Sequence, residues 1–226
     1  MKRAVLAGVG LAAAFAARSM ARNAGATCAE RRAPLPGDEV VPDARGSSTM
    51  ATTIEAPPEA VWPWLVQMGC GRAGWYSWDR LDNAGVPSAD ELWPEWQELA
   101  VGDRLPSTPD ASAWFEVVEL EPERALVLRA PIDLRSRRAF EGERPRVFSE
   151  GSWAFVLGRD GDRTRLVVRS RGVTRPRLVG LVADALFWTP AHVVMQRRQL
   201  RNLARLAAAH YNASEEPEPA EVPLLT

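Results

Sequence analysis

The feature that most narrows the choice of fold lies between residues 151 and 209, where a hairpin pattern runs directly into a long amphipathic helix pattern. Trp153, Phe155 and Leu157 alternate with smaller residues, a second run spans residues 164–171, and Asp160-Gly161 between them suits a tight turn with positive φ. From residue 177 to 209 the period becomes helical, with Leu178, Val182, Ala185 and Thr189 on one face, continued by Val193, Leu200, Leu203 and Ala207. Pro190 interrupts this run, which predicts either one kinked helix or two helices end to end with Thr189 capping the second. An antiparallel sheet with one apolar face needs a cover, and a terminal helix with an apolar stripe supplies one.

The upstream chain completes the plan. Residues 49–55 are rich in β-branched side chains and predict a first strand. Pro57-Pro58-Glu59 then opens a helix in which Val61, Trp64, Leu65 and Met68 share a face; Pro63 should bend or shorten it, and Gly69 ends it. A second short helix falls within residues 75–83, and residues 99–105 lead back into β structure. Strands are expected at 114–120 and 125–130, joined by the Glu121-Pro122-Glu123 turn. Residues 131–150 carry Arg135, Arg137, Arg138, Arg144 and Arg146 among few aliphatics, which predicts a mobile solvated loop or a contact to anionic lipid or phosphate. The order predicts an α+β helix-grip fold: a curved antiparallel sheet wrapped around a long C-terminal helix, with two short helices after the first strand.

Domain organisation follows from length and punctuation. A chain of 226 residues suits one buried domain with extensions, assigned here to residues 48–210. Residues 1–27 form a separate segment: Lys2-Arg3 precede an apolar run at 4–17, and Ala24-Gly25-Ala26 resembles a cleavage pattern. The run falls short of the about 20 residues of a spanning helix. Residues 1–26 therefore predict membrane contact or export, and a cytoplasmic protein if they serve neither purpose. Residues 28–47, with Pro34, Pro36 and Pro42, read as a linker arm, and 211–226 as a disordered acidic tail. A net charge of -1 gives no field to hold nucleic acid, so no such partner is expected. Cys28, Cys70, His192 and His210 form no metal-ligand spacing, so no metal or cofactor is expected either. A Cys28–Cys70 disulfide stays open for an exported protein, as does a reactive Cys70.

Function is concentrated in residues 54–97, which hold six of the nine tryptophans (Trp62, Trp64, Trp75, Trp78, Trp93 and Trp96) among glycines and prolines. Large rigid aromatics with a few polar groups can line an apolar ligand site, although single tryptophans usually serve packing. The pattern Gly69-x-Gly71-x-x-Gly74 imitates a dinucleotide fingerprint but has a helix before it instead of a strand, and no long helix after it. It reads better as a flexible connection, with Arg72 and Asp79 free to pair or to meet a ligand. A second imitation at Gly8-Val9-Gly10 lies inside the apolar run and leads nowhere.

Residues 56–65 (Ala-Pro-Pro-Glu-Ala-Val-Trp-Pro-Trp-Leu), 71–79 (Gly-Arg-Ala-Gly-Trp-Tyr-Ser-Trp-Asp), 94–97 (Pro-Glu-Trp-Gln) and 190–195 (Pro-Ala-His-Val-Val-Met) resemble bacterial members of the SRPBCC superfamily. These are START-like helix-grip proteins, often labelled polyketide cyclase/dehydrase or lipid transport proteins. The resemblance covers about residues 35–209, including Leu35-Pro36-Gly37-Asp38, and implies the fold and an apolar cavity. No catalytic motif of the superfamily matches. Position and chemistry then give Trp64, Met68, Trp75, Tyr76, Trp153 and Met195 as cavity-lining candidates, and Arg72, Asp79, Gln97 and His192 as polar anchors. The leading expectation is a binder or carrier of a hydrophobic small molecule such as a lipid, isoprenoid or polyketide-like compound. The alternatives are a cyclase or hydrolase using His192 as base with Tyr76 or Asp79 assisting, and a membrane-tethered interaction module.

Overall fold

In the computed structural model of this chain, the structure describes residues 17–178, 180 and 189–215. The elements are α1 (Cys28–Arg32), β1 (Gly46–Ile54), α2 (Pro58–Val66), α3 (Asp79–Asp82), a 3-10 turn (Pro94–Trp96), β2 (Arg104–Pro106), β3 (Trp114–Glu121), β4 (Ala125–Asp133), β5 (Arg138–Ala139), β6 (Phe148–Asp160), β7 (Arg163–Arg175) and α4 (Thr189–Glu215). The seven strands make one antiparallel sheet in the order β1-β7-β6-β4-β3-β2, with β5 on β4. The long α4 packs against β1 and α2. This is the expected helix-grip architecture.

Local chemistry explains the elements. Pro57 and Pro58 start α2, and Pro63 within it coincides with a helix of only nine residues that buries Val61, Trp64, Leu65 and Val66. The β6–β7 hairpin turns at Gly161, whose φ of 64° is the left-handed conformation foreseen there. α4 buries Val193, Gln196, Leu200, Leu203 and Ala207, spaced by three or four residues, against the inner face of the sheet. Full burial of a side chain such as Leu203 contributes about 1.5–3 kcal/mol.

Four expectations change or fall outside the described residues. The 27-residue α4 runs on through Glu215, past both the expected helix end and the expected start of the tail. Residues 131–150 are not one solvated loop: β4 continues to Asp133, β5 pairs with it, and β6 begins at Phe148. Within them Arg144 bonds Glu150 and pairs with Asp43, because a carboxylate buried to 3% exposure needs cationic partners. Residues 1–16, Val182 and Ala185 lie outside the described residues, so neither the apolar run nor the first half of the predicted terminal helix is described. Among the described residues, no helix is long and apolar enough to cross a membrane.

The arm is not a loose linker. Residues 23–45 cross the outer face of the sheet as a strap. Thr27 and Glu30 form a capping box at the start of α1, and the Glu30 carboxylate accepts from Arg165 Nε at 2.7 Å and Nη2 at 3.0 Å. Arg169 of β7 donates to Asp38, to the Ala33 and Glu30 carbonyls and to Thr49. Val41 packs with Phe148 and Val173, and Gly37 lies so close to the sheet that a Cβ there would meet Val127 at 2.5 Å. The strap thereby covers part of the outer face.

Candidate functional site

Strand register sorts the inner face into rows. One row, Met50–Val168–Phe155–Leu126–Leu120, is apolar throughout, and four of its five members are buried. The next, Ser48–Ser170–Trp153–Leu128–Val117, mixes large and small. The one beyond, Gly46–Gly172–Gly151–Ala130, presents nothing larger than a methyl group across four strands. Gly172, Gly151, Ala130 and Ser170 are only partly buried. Packed core thus gives way, along the strands, to a floor stripped of side chains.

Aromatics stand at the boundary. Trp153 stacks with Phe155 (centroids 4.8 Å apart), Phe115 (5.4 Å) and Trp75 (5.6 Å), and Trp75 meets Phe115 edge-on at 5.0 Å. Trp75 and Phe155 are buried, whereas Phe115 and Trp153 keep part of their surface exposed. A hydrogen-bond chain fixes this wall to α4: Trp153 Nε1 donates to Gln196 Oε1 at 2.9 Å, Gln196 Nε2 donates to Gln199 Oε1 at 2.7 Å, and Gln199 Nε2 donates to the Trp75 carbonyl at 3.0 Å.

The expected site residues divide. Trp75 and Trp153 join the wall. Met195 lies one residue before Gln196 on α4, half-buried, and its carbonyl accepts from Ser77 Oγ. Trp64 and Met68 are fully buried core: Trp64 meets Tyr76 edge-on at 6.0 Å, and Met68 Sδ accepts from Gln199. The Trp64 ring N–H has no hydrogen-bond acceptor among the described residues. Gln97 is a fastener, since its Nε2 donates to Gln67 Oε1 at 3.0 Å. The buried Gln67 also accepts from Trp93 N and donates to the Glu91 carbonyl, pinning residues 91–97 to α2.

Arg72 and Asp79 do not pair with one another; Arg72 is held against α2, and Asp79 lines, with Tyr76, Ser77 and Ser88, a surface cleft of about 190 Å³. Arg72 folds back on α2, donating to the Val66 and Met68 carbonyls at 2.8 and 3.1 Å, where a cation complements the helix C-terminus, and stacks over Trp96 at 4.5 Å. Gly69 and Gly74 close the intervening loop by exchanging two backbone hydrogen bonds of 3.0 Å, so the glycine pattern makes a tight turn instead of a strand-to-helix connection. Asp79 Oδ1 accepts from Ser88 N and Oγ.

The acid–base trio does not converge. The Tyr76 hydroxyl accepts from Gln67 Nε2 at 2.6 Å in the core, and burial pushes its pKa up to about 12. His192 lies in α4 ten residues before Asn202, which bonds the Tyr76 carbonyl; that is about 15 Å along the helix. Both cysteines are free thiols, with Cys28 exposed and Cys70 buried. Burial, and secondarily the charge of Asp82, raises the Cys70 pKa, the opposite of activation. Among the described residues no cluster of His, Cys, Asp and Glu could hold a metal.

No protein-family model matches the chain, and a search of curated proteins finds no match. Solved structures do resemble it. A Mesorhizobium loti protein is 18% identical, covering 71% of this chain and 96% of its own, with a TM-score of 0.44. An Arthrobacter aurescens protein is 14% identical over 72% and 86%, with a TM-score of 0.41. A Corynebacterium glutamicum protein described as polyketide-cyclase-like is 15% identical over 75% and 93%, with a TM-score of 0.35. At these identities and TM-scores the likenesses carry no argument for this chain, and both fold and site are argued from its own residues.

Sequence reading missed Phe115, Gln196, Gln199 and the small floor. Two signals were present. Gln196 and Gln199 interrupt the apolar stripe of α4 where a core helix would carry aliphatics. Gly151 and Gly172 are equally far from the Asp160–Arg163 turn pair, so the hairpin sets them opposite one another.

Proposed function

We propose that this protein binds a small hydrophobic molecule, such as a lipid, isoprenoid or polyketide-like compound, on the inner face of its sheet. The floor would be Ala130, Gly151, Ser170 and Gly172, and the wall Phe115 and Trp153. One observation carries the reading: the partly exposed aromatics stand where inward side chains shrink from the Phe155 row to a row of glycines and alanine. At Ala130 and Ser170 a larger apolar side chain would bury more surface, each methylene contributing about 0.8 kcal/mol, whereas at Gly151 and Gly172 a Cβ would meet strand carbonyl oxygens at 3.1 and 3.2 Å. Polar donors there are few, which suits an apolar guest held by area and aromatic contact.

Native mass spectrometry of the gently purified full chain, followed by organic extraction, should find a co-purifying apolar compound, or uptake of an added fatty acid or prenol. Ser170→Leu and Ala130→Leu fill the floor without touching the core, so they should weaken uptake at least tenfold while the folded spectrum is retained. Uptake unchanged in both variants would remove this site. The expectation that residues 1–26 bring the protein to a membrane or out of the cytoplasm is tested separately by cell fractionation: recovery wholly in the soluble cytoplasmic fraction would rule it out.

A further inference from the structure

The outer face carries a second cleft, across the sheet from the floor and walled by the strap. It is an open depression of about 470 Å³ whose lining includes Arg31, Arg32, Arg45, Arg169, Arg171 and Asp38. Asp38 is the one acid in that lining, and it is already engaged, with Arg169 at 2.8 Å and Arg171 at 3.3 Å. Arg169, at 5% exposure, spends its donors on Asp38, Thr49 and two strap carbonyls, so it is structural. Arg31, Arg32 and Arg45 are exposed and are not engaged by any carboxylate among the described residues.

Three unneutralised guanidiniums around one concavity repel one another, and that repulsion is relieved by an anion bound between them. Phosphate groups are the anions that guanidinium forks match best, by paired N–H donors to adjacent oxygens. The volume exceeds what an inorganic ion fills, leaving space for the organic remainder of a phosphate ester. We propose that this cleft binds the phosphate end of an organic phosphate, held by Arg31, Arg32 and Arg45 over a base fixed by Arg169, Arg171 and Asp38. The phosphate can come from a lipid headgroup or from a soluble ester. This does not depend on the inner-face proposal.

The test uses the full chain. Inorganic pyrophosphate, titrated calorimetrically at low salt, should bind, and Arg31→Gln, Arg32→Gln and Arg45→Gln should each weaken it by about fivefold. Arg124→Gln and Arg201→Gln, exposed arginines elsewhere, should leave it unchanged. Sedimentation with phosphatidylcholine vesicles, with and without phosphatidic acid, separates the sources. Extra retention on phosphatidic acid that the triple variant loses assigns a lipid phosphate. Pyrophosphate binding without that extra retention assigns a soluble one. Absence of binding to both probes, binding equal to wild type in the triple variant, or equal weakening by the two remote substitutions would overturn the proposal.

Discussion

The strap's attachment can be tested through one carboxylate. Glu30 accepts a backbone hydrogen bond from Thr27 at 2.6 Å and two from Arg165, chiefly the Arg165 contact holding its pKa down to about 2 from 4.5. Taken at face value that depression corresponds to about 3 kcal/mol, but the pair sits at the edge of the strap within reach of solvent. Screening reduces the expected worth to about 1–2 kcal/mol. The folded-state pKa is lowered, so the contribution is fully present above pH 4.5 and is lost as pH falls toward 2. Glu30→Gln should therefore lower unfolding stability by about 1–2 kcal/mol at pH 7, with most of the difference gone by pH 3. Urea denaturation of both proteins at pH 7, 5 and 3 reads this directly. A difference that persists undiminished at pH 3, or is absent at pH 7, would show that the ion pair does not hold the strap.

Three other outcomes follow from the same geometry. Gly74→Ala should cost at least about 2 kcal/mol more than Gly71→Ala in thermal or urea unfolding, because both need positive φ but only at Gly74 would a Cβ strike Ser88, at 2.4 Å from Oγ and 2.9 Å from backbone. Thiol labelling with an aromatic disulfide should modify Cys28 at once and Cys70 only on unfolding, and two equally fast thiols would contradict the burial of Cys70. In an ultraviolet pH titration one of the two tyrosines should resist ionisation until pH nears 12, and stability should fall as pH rises from about 10 to 12, since the raised pKa of Tyr76 favours the unfolded state in that window.

The aromatic segment at 54–97 shows how one sequence pattern is divided between internal packing and a partly exposed wall. Trp75 reaches the wall, but Trp64, Met68, Arg72 and Gln97 use their chemistry to hold α2, the glycine loop and residues 91–97 together. A tryptophan that packs and one that lines a site look identical in sequence, because the distinction is which neighbours remove it from solvent. Arg72 was legible as a cation near glycines, whereas its acceptors, the Val66 and Met68 carbonyls, exist only once α2 has ended.

What the sequence determined by itself was the order of elements and their periods: strand, two short helices, antiparallel strands with a turn at Asp160-Gly161, and an amphipathic terminal helix. Those follow from local rules, alternation of two against three and a half residues and the φ demands of proline and glycine, which act over a few residues at a time. Only the tertiary structure decided what each face meets. Pairing β1 with β7 and crossing the outer face with residues 23–45 spends the polar arginines on one side and leaves the small row Gly46–Gly172–Gly151–Ala130 on the other. That row joins residues more than a hundred positions apart, and no local period encodes such a register.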